Sequence, residues 1–220
     1  MLQLYSIKIN IMVKYDKQTY RKMAKTALKK ESKRVANSYK NRLNFDILRL
    51  IKFYKVRNLL IFTPMQTEPN LIMLRRKLAK NCTIFVPFMV DKSLKMVKLR
   101  LPFFVSKFGI KEARDSNAYK KKIDMAIVPV IAVDTNMARV GHGAGFYDRF
   151  FDSLGYRPVI VFVSIKDMYI NDKICDAHDI CADFYITPTT KYIKKVCYDR
   201  DVISGVRRLN FRSRWWLANI

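Results

Sequence analysis

The chain has 220 residues, half of them hydrophobic, with 43 Lys and Arg against 18 Asp and Glu for a formal net charge of +25. That composition excludes an overall disordered chain, is enough to bury one sizeable core, and contains no apolar run near the roughly 20 residues that span a bilayer. The charge is uneven, since residues 1–57 contribute +13, residues 191–220 contribute +6, and the whole middle adds only +6. Such an excess gives sequence-independent affinity for polyanions such as RNA, an anionic membrane or small polyanionic substrates, and a simply solvated lysine-rich surface accounts for it as well.

In chain order, Met1 to Val13 is apolar but short, contains Lys8 and lacks a small-residue cleavage site. It reads as an N-terminal extension rather than a secretory signal, with Met12 as a second candidate start. From Lys17 to Lys33, Tyr20, Met23, Ala24, Ala27 and Leu28 recur at helical spacing on an otherwise basic helix. Lys17 and Arg21 sit four apart, so both project from one side and can grip the same anion. A second helix is predicted over Leu43 to Tyr54, then a buried strand from Asn58 to Pro64 with Thr63 at its end. Glu68 follows in the loop Met65 to Pro69, where ligand-binding groups gather in open α/β sheets, although a plain loop carboxylate is the simpler reading.

A helix over Asn70 to Lys80, a strand over Cys82 to Pro87 and a half-exposed strand around Leu99 and Leu101 come next. Phe108 to Glu112 reads as a loop with a glycine turn. Ile123 to Val133 reads as one buried strand, with Asp134 at its carboxyl end. Arg139 to Phe151 then holds three of only six glycines at alternate positions, Gly141, Gly143 and Gly145. Spaced glycines permit positive φ and expose successive amides, and the stripe Phe146, Tyr147, Phe150, Phe151 and Leu154 predicts a helix directly after them. The stretch is therefore an anion cradle that matches neither the P-loop nor the dinucleotide fingerprint. Gly155 suits the helix end.

Pro158 to Ile165 and Asp183 to Thr187 supply the last predicted strands. His178 and Asp179 precede the final one, where a carboxylate can meet Asp148 as a magnesium pair. Alternating helices and strands imply a three-layer α/β fold, Rossmann-like, with a mostly parallel sheet covered on both faces. Cys82, Cys175, Cys181 and Cys197 form no metal-spaced pair, which favours reduced thiols and a cytoplasmic protein. Beyond Lys191 the chain is basic, with Trp215 and Trp216 near the end.

These pieces, in this order, resemble the 5-formyltetrahydrofolate cyclo-ligase (methenyltetrahydrofolate synthetase) family. The strongest is Arg139-Val-Gly-His-Gly-Ala-Gly-Phe-Tyr-Asp-Arg, similar to the family's Arg-Leu-Gly-x-Gly-x-Gly-Tyr-Tyr-Asp. Lys17-x-x-x-Arg21, Met65-Gln-Thr-Glu68, Pro87, Phe108-Gly-Ile-x-Glu112, Ile123-Asp124, Pro129, Asp134 and His178-Asp179 support it. Met137 replaces a usual glycine, Ala113 a proline, Val140 a leucine and Phe146 a tyrosine.

The resemblance implies a fold similar to the sugar-phosphate isomerase and CoA-transferase type, and ATP-dependent closure of 5-formyltetrahydrofolate to 5,10-methenyltetrahydrofolate. It implies ATP binding and catalysis by Lys17, Arg21, Arg139 and Tyr147, with Val140, Gly141, His142, Gly143, Ala144, Gly145 and Phe146 completing the nucleotide site. Thr63, Glu68 and His142 to Phe146 would take the folate, whose polyglutamylated forms suit a basic surface, and Asp148 with Asp179 would hold Mg2+. The organisation expected is an extension (1–13), one α/β domain (14–190) and a basic tail (191–220), acting as a monomer. Two other classes remain open, a basic nucleic-acid-binding protein, through the surface or the tail, and a non-catalytic phosphate-ligand binder on the same fold.

Overall fold

A computed structural model describes residues 15–34, 37–91, 93–100, 103–105, 111–112, 119, 121–194 and 206–210. Its elements run α1 (Lys17–Ser32), α2 (Asn37–Phe53), β1 (Asn58–Leu60), a 3-10 turn (Ile72–Leu74) leading into α3 (Arg75–Leu78), β2 (Thr83–Val90), β3 (Ser93–Lys98), β4 (Phe104–Val105) and β5 (Lys111–Glu112). They continue with β6 (Met125–Pro129), β7 (Ala132–Val133), β8 (Arg139–Val140), α4 (Phe146–Asp152), β9 (Val159–Val163), β10 (Phe184–Ile186), β11 (Thr190–Lys194) and β12 (Val206–Asn210). Among the described residues, eight strands form one sheet in the order β12-β11-β10-β9-β6-β1-β2-β3. The five central strands, β10, β9, β6, β1 and β2, are mutually parallel, and β3, β11 and β12 join antiparallel at the edges.

Alternation along each strand sends neighbouring side chains to opposite faces. Leu59, Ile84, Val86, Met125, Ile127, Val161 and Val163 pack beneath Leu43, Ile47, Leu50 and Ile51 of α2 and Leu74 and Leu78 of the short helical segment. Leu60, Phe85, Ala126, Val128, Ile160 and Phe162 face the other way, toward Phe150 of α4. Burial of both faces is what near-continuous apolar strands require. α1 lies off the main sheet: its Ala24 and Leu28 pack on Ile131, Ala132, Ala138 and Val140 of the β7–β8 ribbon. No helix among the described residues is long and apolar enough to cross a membrane.

Some elements differ from the sequence expectation. The run Ile123 to Val133 is two strands, because after Pro129 the chain leaves the sheet and β7 pairs instead with β8. Proline carries no N–H to continue a ladder. The helix expected over 70–80 is confined to Ile72–Leu78, starting where Asn70 Oδ1 accepts the Ile72 amide at 3.1 Å. Lys111–Glu112 pairs with β4 rather than forming a loop. The half-exposed edge strand is β3, so Leu99 falls just beyond it. The extension 1–13, Leu101, Phe108 to Ile110, Ala113, Cys197, Trp215 and Trp216 lie outside the described residues.

The sheet also continues past residue 190, through β11 and β12. Lys191 of β11 pairs with Asp46 of α2 at 3.0 Å, both side chains being 5% exposed. A buried pair of this kind ties the two elements together, since losing one partner strands the other charge.

Met137, where the related motif has glycine, has φ +58° and is fully buried. The backbone keeps a glycine conformation while the side chain fills the core, so the strain of about 1 kcal/mol is outweighed by burial worth about 2–5 kcal/mol. Met137→Gly is therefore expected to destabilise by about 1–4 kcal/mol, and Met137→Ala by more, because it also empties the site but keeps the strain. Urea unfolding of both variants checks this ordering, which ordinary backbone positions reverse.

Candidate active site

The loop between β8 and α4 is drawn onto α1 by side chains rather than by strand pairing. Asp16 caps α1 by accepting the Thr19 amide at 2.9 Å, which fixes the start of the helix, from which Arg21 reaches the loop and Lys17 reaches the Asp176–Asp179 turn. Arg21 Nε donates to the Gly141 carbonyl at 2.8 Å. Gly143 and Gly145 take φ +108° and +65°, conformations that L side chains rarely adopt, and Gly145 is the residue that caps α4 at its N-terminus. Arg149, one turn into that helix, reaches back to the Ala144 carbonyl at 2.8 Å and lies over the Phe146 ring.

Together these groups line a cleft of about 300 Å³ bounded by Lys17, Arg21, Arg139, Gly141, Gly143, Ala144, Gly145, Asp148, Arg149, His178 and Asp179. Four cationic side chains and a glycine loop around one cavity suit an extended polyanion. Arg139 is its most constrained member. It is 7% exposed, donates to Asp148 Oδ2 at 2.9 Å and lies over the Tyr147 ring at 5.1 Å, while its buried Nε has no partner among the described residues. Asp148 Oδ1 accepts the Ile180 amide at 3.2 Å.

The carboxylate side of the cleft is the turn Asp176 to Asp179. Lys17 donates to Asp179 Oδ2 and, at 3.0 Å, to Asp176 Oδ2. Asp176, His178 and Asp179 present donor atoms all within 4.8 Å of one another. Asp134, far from solvent, sets this turn: its Oδ1 accepts the amides of Asn136 and Ala138, and its Oδ2 those of Ile174 and Cys175. It is a structural acceptor for the β7–β8 turn and the segment leading to Asp176.

Glu68 closes its own turn by accepting the Met65 amide at 2.9 Å, and its other oxygen lies 3.9 Å from His142 Nε2. Burial pushes its carboxyl up to about 7, with the Met65 amide and Arg139 pulling the other way. Burial, then Lys25, Arg139 and Arg21, hold His142 below its usual value. The Tyr147 phenol is raised by burial and by Glu68, so it keeps its proton at neutral pH.

Of the residues singled out in the sequence, Lys17, Arg21, Arg139, Gly141, Gly143, Ala144, Gly145, Asp148 and Asp179 share the cleft wall. Val140 is buried behind it against α1. Thr63, Glu68, His142, Phe146 and Tyr147 are not among its lining residues; Arg139 over the Tyr147 ring and Arg149 over the Phe146 ring connect the cleft to this second group, within which Glu68 approaches His142. Sequence reading passed over Arg149 and Asp176; the first closes the Phe-Tyr-Asp-Arg run, and a cation one turn past a phosphate loop was its available signal.

The model of the 5-formyltetrahydrofolate cyclo-ligase family matches residues 13–188. Curated relatives described as 5-formyltetrahydrofolate cyclo-ligase include one from Mycolicibacterium smegmatis, 34% identical over 65 residues (30% of this chain, 34% of the relative). Another, from Saccharomyces cerevisiae, is 31% identical over 97 residues (41% of this chain, 45% of the relative). The chain thus spans less than half the length of either. The NMR structure of Aquifex aeolicus 5,10-methenyltetrahydrofolate synthetase superposes with a TM-score of 0.65 at 23% identity, covering 86% of this chain and 95% of that one. The Mycoplasma pneumoniae 5,10-methenyltetrahydrofolate synthetase gives 0.62 at 16% identity, covering 78% and 98%. At these identities both show a common fold.

Proposed function

The chain belongs to the 5-formyltetrahydrofolate cyclo-ligase family, and from that premise we propose that it converts 5-formyltetrahydrofolate and ATP to 5,10-methenyltetrahydrofolate, ADP and phosphate. The observation that carries the proposal is the single cleft in which Lys17, Arg21, Arg139 and Arg149 converge on the Gly141–Gly145 loop. A formamide oxygen leaves poorly, so the formyl oxygen attacks the γ-phosphate and ADP leaves, the 10-nitrogen attacks the activated carbon and gives up its proton to solvent, and phosphate departs with the former formyl oxygen. This chemistry needs alignment and charge neutralisation more than a nucleophilic side chain. The cations and loop amides bind the polyphosphate; Arg139, whose Nε has no partner among the described residues, follows charge as it develops. Tyr147, held protonated, keeps the guanidinium in plane.

Glu68, Thr63 and the His142–Phe146 flank of the loop take the folate, with the carboxyl of Glu68 facing its amino and ring N–H groups. Asp179 and Asp148 share the cleft wall, and Asp176 and His178 adjoin Asp179 with the donor spacing of a cation site, so the residues fit a magnesium ion there. Magnesium bound at that point would neutralise phosphate charge. The same reading makes the protein a cytoplasmic monomer that accepts polyglutamylated folates on its basic surface.

Purified protein mixed with 5-formyltetrahydrofolate and Mg-ATP should form methenyl product, followed by its near-ultraviolet absorbance. Absence of ATP-dependent product would remove the reading.

A further inference from the structure

The proposed reading gives Lys17 to the ATP phosphates and Asp179 to the magnesium ion, yet the two are bonded to each other. The Lys17 ammonium donates to both Asp179 and Asp176, and Asp179 Oδ2 also accepts the Asp176 amide at 2.7 Å. The ammonium therefore sits on the same carboxylate oxygens that a divalent ion would need. It does not wander there from a loose segment: Lys17 is the first residue of α1, the turn is fixed by the Asp16 cap, and Arg21 pins the next turn to Gly141. Its side chain is 21% exposed and Asp179's only 9%, so water screens the pair weakly.

A single positive charge and a divalent ion cannot share these oxygens without strong repulsion. A polyphosphate in the cleft offers the ammonium alternative acceptors carrying more charge. We infer that Lys17 is a tethered counter-cation: its ammonium holds the divalent-ion position on Asp176 and Asp179 until the polyphosphate draws it away, so that metal binding is conditional on nucleotide. The inference rests on the reading of Asp179 as a metal ligand. Its consequence is that metal and nucleotide enter together, and that the metal alone competes poorly with a charge already in place. Lys17 acts here as a positioning residue in addition to touching the phosphates.

The test is a Mn2+ titration of the whole protein without nucleotide, read by electron paramagnetic resonance of free Mn2+. Lys17→Met and Lys17→Gln should each bind Mn2+ at least tenfold more tightly than the natural protein, and Asp179→Asn added to Lys17→Met should abolish the gain. With ATP present, the natural protein should take up Mn2+ beyond what ATP alone holds. If both Lys17 variants fold, as circular dichroism reports, and bind Mn2+ no more tightly, while the natural protein still takes up Mn2+ with ATP through Asp179, the counter-cation role is overturned and the metal reading stands. If no Mn2+ uptake beyond that of free ATP occurs in any variant, both are overturned.

Discussion

Arg139→Ala is expected to lower the ATP-dependent rate by about a thousandfold or more and to cost about 3–5 kcal/mol of folding stability. Two effects add because the guanidinium belongs at once to the core and to the cleft. It is 7% exposed and is the side-chain partner of Asp148 Oδ2, so its removal leaves that carboxylate, 14% exposed, with the Ile180 amide as its one remaining partner among the described residues. It also takes away a donor fork from the cleft wall to which the proposed function assigns the developing phosphoryl charge. The effects separate in a double variant: Arg139→Ala with Asp148→Ala removes both charges and should regain about 1–2 kcal/mol without recovering rate. Arg139→Lys should unfold nearer the natural protein yet turn over about a hundredfold more slowly, since an ammonium lacks the planar fork and the stack on Tyr147. The neighbouring glycine is part of the same device. A Cβ at Gly141 would stand 2.8 Å from Arg139 Cζ, so a side chain there would push the guanidinium out of its present position. Urea unfolding and single-turnover product formation measure the two losses, and natural values of both for Arg139→Ala would refute the assignment.

The elements legible in the sequence were those whose information is local. The stripe Tyr20, Ala24 and Leu28 marks α1, and the uninterrupted apolar runs Leu59–Phe62 and Val159–Val163 mark the buried sheet strands, because each depends on neighbours within a few residues. The glycine spacing likewise shows where a loop must bend. What stayed hidden depends on distance across the fold. Nothing around Pro129 says that the next apolar residues will pair with β8, and nothing local joins Asp46 to Lys191 across the molecule. Asp134 was visible as a polar residue at the end of an apolar run, but its four amide partners come from two segments, one of them about 40 residues on. The departure at Met137 was legible as a changed letter; its meaning needed the backbone angle.

Glu68→Gln should make the protein more stable above neutral pH while impairing its use of folate. Burial raises the Glu68 carboxyl from 4.5 to about 7. The folded state therefore binds this proton more tightly than the unfolded chain, so the stability contributed by the neutral acid is fully present below about 4.5 and is lost as pH rises through about 7. A gap of that size corresponds to about 3 kcal/mol at pH 8. Glutamine keeps an acceptor for the Met65 amide but cannot ionise, so its advantage should be absent at pH 4.5, open between there and 7, and level off above. His142, 3.9 Å away, does not cancel the effect, because burial and Lys25, Arg139 and Arg21 keep it below its usual value and hence neutral at pH 8. For substrate the sign reverses: a carboxylate accepts from the amino and ring N–H groups of a pterin, and replacing it should raise the KM for 5-formyltetrahydrofolate about tenfold or more, with the KM for ATP nearly unchanged. Unfolding free energies from pH 4.5 to 8 and the two KM values decide it. A stability gap that shrinks with rising pH would show that Glu68 is ionised and paired in the folded protein, whereas a gap that grows would mean that the protein keeps a costly buried acid for a ligand.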